Sequence, residues 1–252
     1  VALPVLIFIS LSAKTFDPIA ALSFTGASIL LIFMTGLIAW PLAKFSGATQ
    51  QAFLPCAMFT NVGPIGIPLI ALTYGQEGMA TAVVLLVISN ILHFTLGVGV
   101  MSGKVDWRPV YANPLVWATV LGVASAQFQW VLPEWAHTSC TMIGSVLVPM
   151  MLMSLGTRFA SSHVADAWVG VQSGVLIMLI RLTAVFLALW FIPLEGIERG
   201  ALILFACLPP AVFNFILADK FQVEPNKVAS TVIVGNLLSL AFLPLGIWLA
   251  FI

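Results

Sequence analysis

Residues 61–68 read Asn61-Val-Gly63-Pro64-Ile-Gly66-Ile-Pro68, and they sit inside an apolar run over 50–74. A straight helix does not tolerate this composition. Each proline lacks an amide hydrogen and clashes with the preceding turn, and each glycine adds backbone freedom, so the helix is expected to break near its middle. A second run, 197–219, carries Pro209-Pro210 followed by Asn214. Half-helices beginning at such breaks present unpaired N–H groups and partial positive charge, which suit an anion. Asn61 and Asn214 each add a donor and an acceptor without charge, which suits a carboxylate. Gly and Pro are also simply more frequent in membrane helices, and Asn also serves as interhelical hydrogen-bond glue. The occurrence of two interrupted segments as a pair favours a binding site: Asn61, Gly63, Pro64, Gly66, Pro68, Pro209, Pro210 and Asn214.

Supporting candidates are Asn90 and Asn236, each in the span after a break, with His93 and Arg181 as the ionisable groups deep within apolar segments. Arg181 either neutralises a bound anion or spends its side chain on carbonyls or on snorkelling. His93 either relays protons or sits neutral and hydrogen-bonded. No Asp or Glu is central in any apolar segment, which argues against a carboxylate proton relay. The sequence has no H-E-x-x-H, no G-x-S-x-G and no phosphate-cradling loop with its Lys, so no catalytic set and no metal site is nominated. Cys56, Cys140 and Cys207 read as small packing residues.

The elements that position these residues follow from composition. Of 252 residues, 61% are hydrophobic and 7% charged, against about 25% charged in soluble domains. The chain reads as an all-α polytopic membrane protein. Its formal net charge of zero offers no basic patch for nucleic acid, and apolar runs of this length exclude a β-barrel. Charges and turn residues punctuate segments 1–13, 18–44, 50–74, 78–101, 112–132, 138–159, 168–192, 197–219 and 226–251. All but the first are long enough to span a bilayer. Trp40, Trp107, Trp130, Trp135, Trp168, Trp190 and Trp248 lie near segment ends, at headgroup level. Alternating the loops puts Lys44, Lys104, Arg108, Arg158, Lys220 and Lys227 on one side, against Lys14 and Arg199 on the other. The richer side is expected to be cytoplasmic, which leaves the C-terminus outside. No charged region precedes the first apolar stretch, so a signal peptide is not expected.

The sequence also echoes itself. Val1-Ala-Leu-Pro4 through Ser10-Leu matches Val146-Leu-Val-Pro149 through Ser154-Leu, and Leu54-Pro55 through Phe59-Thr-Asn61 matches Leu208-Pro209 through Phe213-Asn214. A weaker echo pairs Ala82-Val83 and Asn90 with Thr231-Val232 and Asn236. Equivalent helices are five spans apart, and an odd spacing implies opposite orientation, the plan of inverted repeats in secondary transporters. The expected organisation is an N-terminal half over 1–101, lacking its first helix, a cytoplasmic linker over 102–111 and a C-terminal half over 112–252.

On these residues the sequence resembles the auxin efflux carrier family, whose bacterial members are permeases for malonate and related organic acids. The resemblance spans essentially the whole chain. It is carried by Asn61 through Pro68, Asn113-Pro114, Pro149 through Ser154-Leu-Gly156, and Leu208-Pro209 through Ala218-Asp-Lys-Phe221 to Ser230-Thr231. It implies ten helices in two inverted five-helix halves, with crossing broken helices as the fourth and ninth. The family's fourth-helix Asn and Pro fall on Asn61 and Pro64 or Pro68, and its ninth-helix Pro on Pro209 or Pro210. It further implies a helix set that moves against a dimerising panel, which makes a homodimer an open expectation. The short 102–111 loop lacks the long insertion of the plant hormone carriers and favours a bacterial-type organic acid carrier. Sodium/bile acid symporters resemble the same architecture, so Na+ or H+ coupling stays open.

The sequence is therefore read as a secondary transporter of a small organic anion in the cell inner membrane, not an enzyme. Its partners are the anion and lipid, and it needs no cofactor. The competing readings are a sodium-coupled symporter, an intramembrane enzyme or a channel.

Overall fold

The computed structural model of the chain describes residues 2–12, 18–104, 114–130, 132–146, 149–150, 153 and 166–252. Expectations that rest on Val1, Lys14, Trp107, Arg108, Asn113, Ser154, Gly156 and Arg158, and on most of the 102–111 linker, lie outside the described residues.

Runs of Leu, Ile, Val, Ala and Phe without internal charge become helices, because in lipid every backbone polar group must be satisfied within its own segment. In chain order they are α1 (Ala2–Ser12), α2 (Pro18–Leu42), α3 (Gln50–Met58), α4 (Ile67–Leu92), α5 (Val98–Ser102), α6 (Pro114–Gln127), α7 (Glu134–Ser145), α8 (Ala167–Phe191), α9 (Gly196–Cys207), α10 (Phe213–Phe221) and α11 (Pro225–Ala250). A widened turn, Val62–Gly66, leads into α4, and a second, His93–Gly97, joins α4 to α5. Among the described residues, four helical runs are long and apolar enough to cross a membrane: Leu22–Phe45, Val62–Ser102, Ala167–Phe191 and Pro225–Ala250. The protein is an all-helical, multi-pass membrane protein.

The Val62–Ser102 run is not one rod. Gly75 lies within α4 at φ 67° and ψ −148°, a left-handed conformation that favours glycine. No atom lies within 4 Å of where its Cβ would be, so its role is conformational rather than steric. The chain turns here, where the sequence separates 50–74 from 78–101. Two other boundaries differ from expectation. Helix α6 stops at Gln127, short of 132, and Gln129 takes a left-handed φ of 52°. Helix α7 begins at Glu134 rather than 138, because Pro133 holds an extended cap (φ −54°, ψ 144°) and Glu134 suits the positive first turn. Trp40, Trp130, Trp135, Trp168, Trp190 and Trp248 are all exposed, as an interfacial role requires.

Two groups of helices emerge from the packing. Helix α8 lies against α2, α9 and α11, and α9 also packs on α4 and α11. Helix α1 packs against α6 and α7, and this trio reaches the rest chiefly through α4. One buried cluster links the groups through Leu11, Leu31, Ile67, Val83, Ala184 and Leu202. A second joins α3, α8, α10 and α11 through Phe53, Ile177, Leu217 and Val228.

At one end of the bundle the loops flanked by Lys44, Lys220 and Lys227 meet. Glu224 Oε2 accepts from Thr49 N at 2.6 Å and from Thr49 Oγ1 at 2.8 Å, while Oε1 pairs with Lys227 Nζ at 2.7 Å. Thr49 precedes α3 without capping it through its own side chain. Glu224 therefore makes a capping-box bond from 175 residues away. Burial raises its pKa, but the hydrogen bonds from Lys227 and Thr49 outweigh that and hold it below the ordinary 4.5. A depressed carboxylate stabilises the fold fully above its ordinary value, and the contribution is lost as pH falls through the lowered one. In detergent, the unfolding midpoint should therefore decline on acidification below 4.5. Glu224→Gln should cost about 1 kcal/mol near neutral pH and flatten that acid limb. A thermal melt series against pH checks both, and an unchanged acid limb in the variant rules the cap out as its source.

Candidate functional site

The two Pro- and Gly-rich stretches interrupt their helices. Helix α3 ends at Met58 and helical turns resume only at Val62; α9 ends at Cys207 and α10 starts at Phe213. Between them the backbone is extended, with Phe59 at φ −112°, ψ 125° and Leu208 at φ −66°, ψ 147°. Pro64 and Pro68 carry no amide hydrogen, so they cannot return a helical bond to the carbonyls four residues earlier. Thr60 O instead accepts from Val62 N at 2.9 Å, and other backbone groups between the half-helices find partners in the opposite break. Thr60 stands opposite Pro210 in an antiparallel bridge, with Asn61 N donating to Pro209 O at 2.8 Å and Ala211 N to Phe59 O at 3.0 Å. In this register the bonded counterpart of Asn61 is Pro209. The sequence echo aligns Asn61 with Asn214, five positions further on.

Arg181 completes the junction. It is 1% exposed, in the middle of α8. Its Nε donates to Ala57 O at 2.7 Å, its Nη2 to Cys56 O at 2.7 Å and Phe59 O at 3.3 Å, and its Nη1 to Leu208 O. All four acceptors are backbone carbonyls at the C-terminal ends of α3 and α9. Of the two roles open to Arg181 in the sequence, the structure shows the carbonyl contacts, and the side chain does not line the neighbouring cavity.

His93 and Asn214 form the second polar unit. His93 Nε2 and Asn214 Oδ1 are 2.8 Å apart. An amide oxygen only accepts, so with this amide orientation Nε2 carries the hydrogen. The imidazole stacks on Phe59 (centroids 4.3 Å, interplanar 5°) and meets Phe213 edge-on at 5.5 Å. These two phenylalanines come from opposite breaks. Among the described residues, four buried side-chain polar atoms have no hydrogen-bond partner, and three of them are here: Thr60 Oγ1, Asn61 Nδ2 and Asn214 Nδ2. Asn61 is 4% and Asn214 0% exposed.

A cavity of about 420 Å³ opens beside the bridge, where the α1–α6 pair faces α4 and α10. Its wall includes Asn61, Gly63 and Pro64, the start of α10 at Val212 and Phe213, and Ser89, Asn90 and His93 from α4 and its widened turn. The structure thus brings Asn61, Gly63, Pro64, Asn90 and His93 to one surface, with Asn214 reaching it through His93. Gly66 closes the widened turn and Pro68 lies in the first turn of α4, neither of them lining the cavity, and Pro209 and Pro210 are used in the bridge. Asn236 does not line the cavity: its Nδ2 donates to Val232 O of its own helix at 2.7 Å, and its Oδ1 is the fourth unpartnered atom. A larger cavity of about 720 Å³, between α1, α7 and the start of α9, holds none of these residues.

Sequence reasoning passed over Thr60, Phe59, Ser89 and Gly97. Only the two stretches of extended backbone show that Thr60 and Phe59 matter. Gly97 is legible only from its contacts: a Cβ there would lie 2.5 Å from His93 Cδ2 and 2.9 Å from Phe59 Cε2. Gly97→Val should push the imidazole off Phe59 and destabilise the protein by about 1–3 kcal/mol. A fall of several degrees in the melting midpoint is expected, and wild-type stability in the variant would show that the stack yields freely.

Comparison with known proteins places the chain among membrane transporters. A family model described as "Membrane transport protein" matches residues 99–248, more than half of the chain. The chain is 29% identical to an "Uncharacterized transporter" of Methanothermobacter thermautotrophicus, over 97% of this chain and 84% of that protein. It is 30% identical to "Auxin efflux carrier component 8" of Arabidopsis thaliana, over 53% of this chain and 38% of the carrier. It is 19% identical to a "Putative malonate transporter" of Rhizobium meliloti, over 95% of this chain and 81% of the relative. The chain belongs to the membrane transport protein family, that of the auxin efflux carriers.

Proposed function

We propose that this membrane transporter is a secondary carrier of a small organic anion, malonate or a related carboxylate, which binds where the two breaks meet. The observation that carries the reading is the pair of unpartnered amide donors, Asn61 Nδ2 and Asn214 Nδ2, at a junction bordered by the 420 Å³ cavity. A buried donor without an acceptor costs about 1–3 kcal/mol, and a carboxylate oxygen supplies the missing acceptor. The cavity falls within the range of small-molecule sites, about 300–1,000 Å³. Among the described residues no Lys or Arg lines it, so the anion is held by amides, the His93 ring edge and the N-terminal ends at Val62 and Phe213. The apolar walls at Leu86, Phe94 and Ile216 take the carbon chain.

In this reading the two interrupted helices belong to inverted halves, and access alternates as one helix group slides against the other in the inner membrane, with the C-terminus outside. The named relative among malonate transporters supports the substrate class.

The test is counterflow in proteoliposomes with malonate, malate, succinate, lactate and an indole acid. Asn61→Ala and Asn214→Ala should each reduce saturable counterflow about tenfold, since hydrogen bonds to charged groups contribute about 1.5–3 kcal/mol. The double variant should abolish it while the protein remains folded. Unchanged flux in the double variant sinks the site, and flux without saturation or counterflow points to a channel.

A further inference from the structure

The carbonyls of Cys56, Ala57, Phe59 and Leu208, from the ends of two different helices, surround one group, the Arg181 guanidinium, with Ala57 O on Nε, Leu208 O on Nη1, and Cys56 O and Phe59 O on Nη2. Unwound carbonyls and half-helix C-terminal ends are the groups with which broken-helix transporters coordinate a small cation. Each such end carries roughly half a negative charge. Two of them together match one positive charge. Among the described residues all of Arg181's hydrogen-bond acceptors are carbonyls, none a carboxylate, so the cage itself is the counter-charge. The guanidinium is planar, permanently charged and rich in donors, and it fills the cage from α8 without leaving a coordination position to solvent.

We propose that Arg181 is a tethered cation in what is otherwise a monovalent-cation site, so that the carrier holds its junction together without recruiting Na+ there. Deleting the side chain should turn the cage into a site for a free cation, either Na+ or the guanidinium ion that mimics the lost group. The consequence for coupling, a transport cycle independent of Na+ at this position, rests on the carrier reading above. The binding property does not, so the two can fail separately.

The experiment is thermal unfolding of purified, substrate-free protein in detergent, followed by tryptophan fluorescence with Na+, choline or low millimolar guanidinium at fixed ionic strength. Wild type should melt at the same temperature in all three. Arg181→Ala should melt many degrees lower, and saturable addition of guanidinium or Na+, but not choline, should restore much of the loss. Arg181→Lys should fall between, with a weaker response to added cation. A folded Arg181→Ala that responds equally to all three salts overturns the proposal, as does saturable Na+-specific stabilisation of wild type. If Arg181→Ala is recovered only as aggregate, the wild-type titration decides: a flat response supports the tethered cation, and a Na+-specific rise overturns it.

Discussion

Opening a helix in the middle of a bilayer releases carbonyls that have no water to turn to, each costing several kcal/mol if left alone. The hydrogen bonds from Arg181 to four such carbonyls, on both interrupted helices, are the constraint around which the molecule is arranged. A buried guanidinium is itself expensive to desolvate, and the carbonyls are expensive to leave bare. Each cost is met only in the presence of the other. The bridge at Thr60 and Pro210 then deals with the amides that Arg181 cannot reach, since a guanidinium only donates. Together the two devices tie α3, α8 and α9 into one unit.

The arrangement is also electrically directional. Four half-helix ends meet at the junction: α3 and α9 end there, while the turn at Val62 and α10 begin there. Arg181 donates to the negative ends, while Val62 and Phe213 at the positive ones line the cavity. On the proposed function, this lets an anion be held with no cationic side chain on the wall among the described residues, in a chain with only 7% charged residues. It also gives the unpartnered amides of Asn61 and Asn214 a physical role, since neutral donors cost less to bury than charges when the site is empty.

Much of this was legible in the residues themselves. Pro64, Pro68, Pro209 and Pro210 announce both breaks because the missing amide hydrogen is a property of the residue, whatever surrounds it. His93 and Arg181 stand out because ionisable groups are rare in apolar runs. What Arg181 does was not legible. Its acceptors Cys56, Ala57 and Phe59 lie more than 120 residues away, and the choice between anion and carbonyls depends on which face of α8 meets the breaks. The register between the breaks was hidden for a similar reason. The echo of Asn61 in Asn214 follows residue identity, whereas the bridge follows backbone geometry and pairs Thr60 with Pro210. Gly97 gave no signal because a glycine needed for close approach looks, in sequence, like any other glycine in a membrane helix.

The same bonds constrain how a carrier of this design can move. Sliding one break past the other would strip Arg181 of acceptors on one side and break the bridge at Asn61 and Ala211, exposing several polar groups at once. Motion is cheaper across apolar packing. Leu6, Ile7 and Leu11 of α1 belong to the same apolar cluster as α4, and such packing can exchange for equivalent packing one turn along. The cavity opens along that boundary, with Leu3 and Leu115 on one side and Asn61 and His93 on the other. On the proposed function, a junction that stays closed while its outer wall shifts would carry the anion with it, because Asn61, His93 and Asn214 all belong to the bonded side.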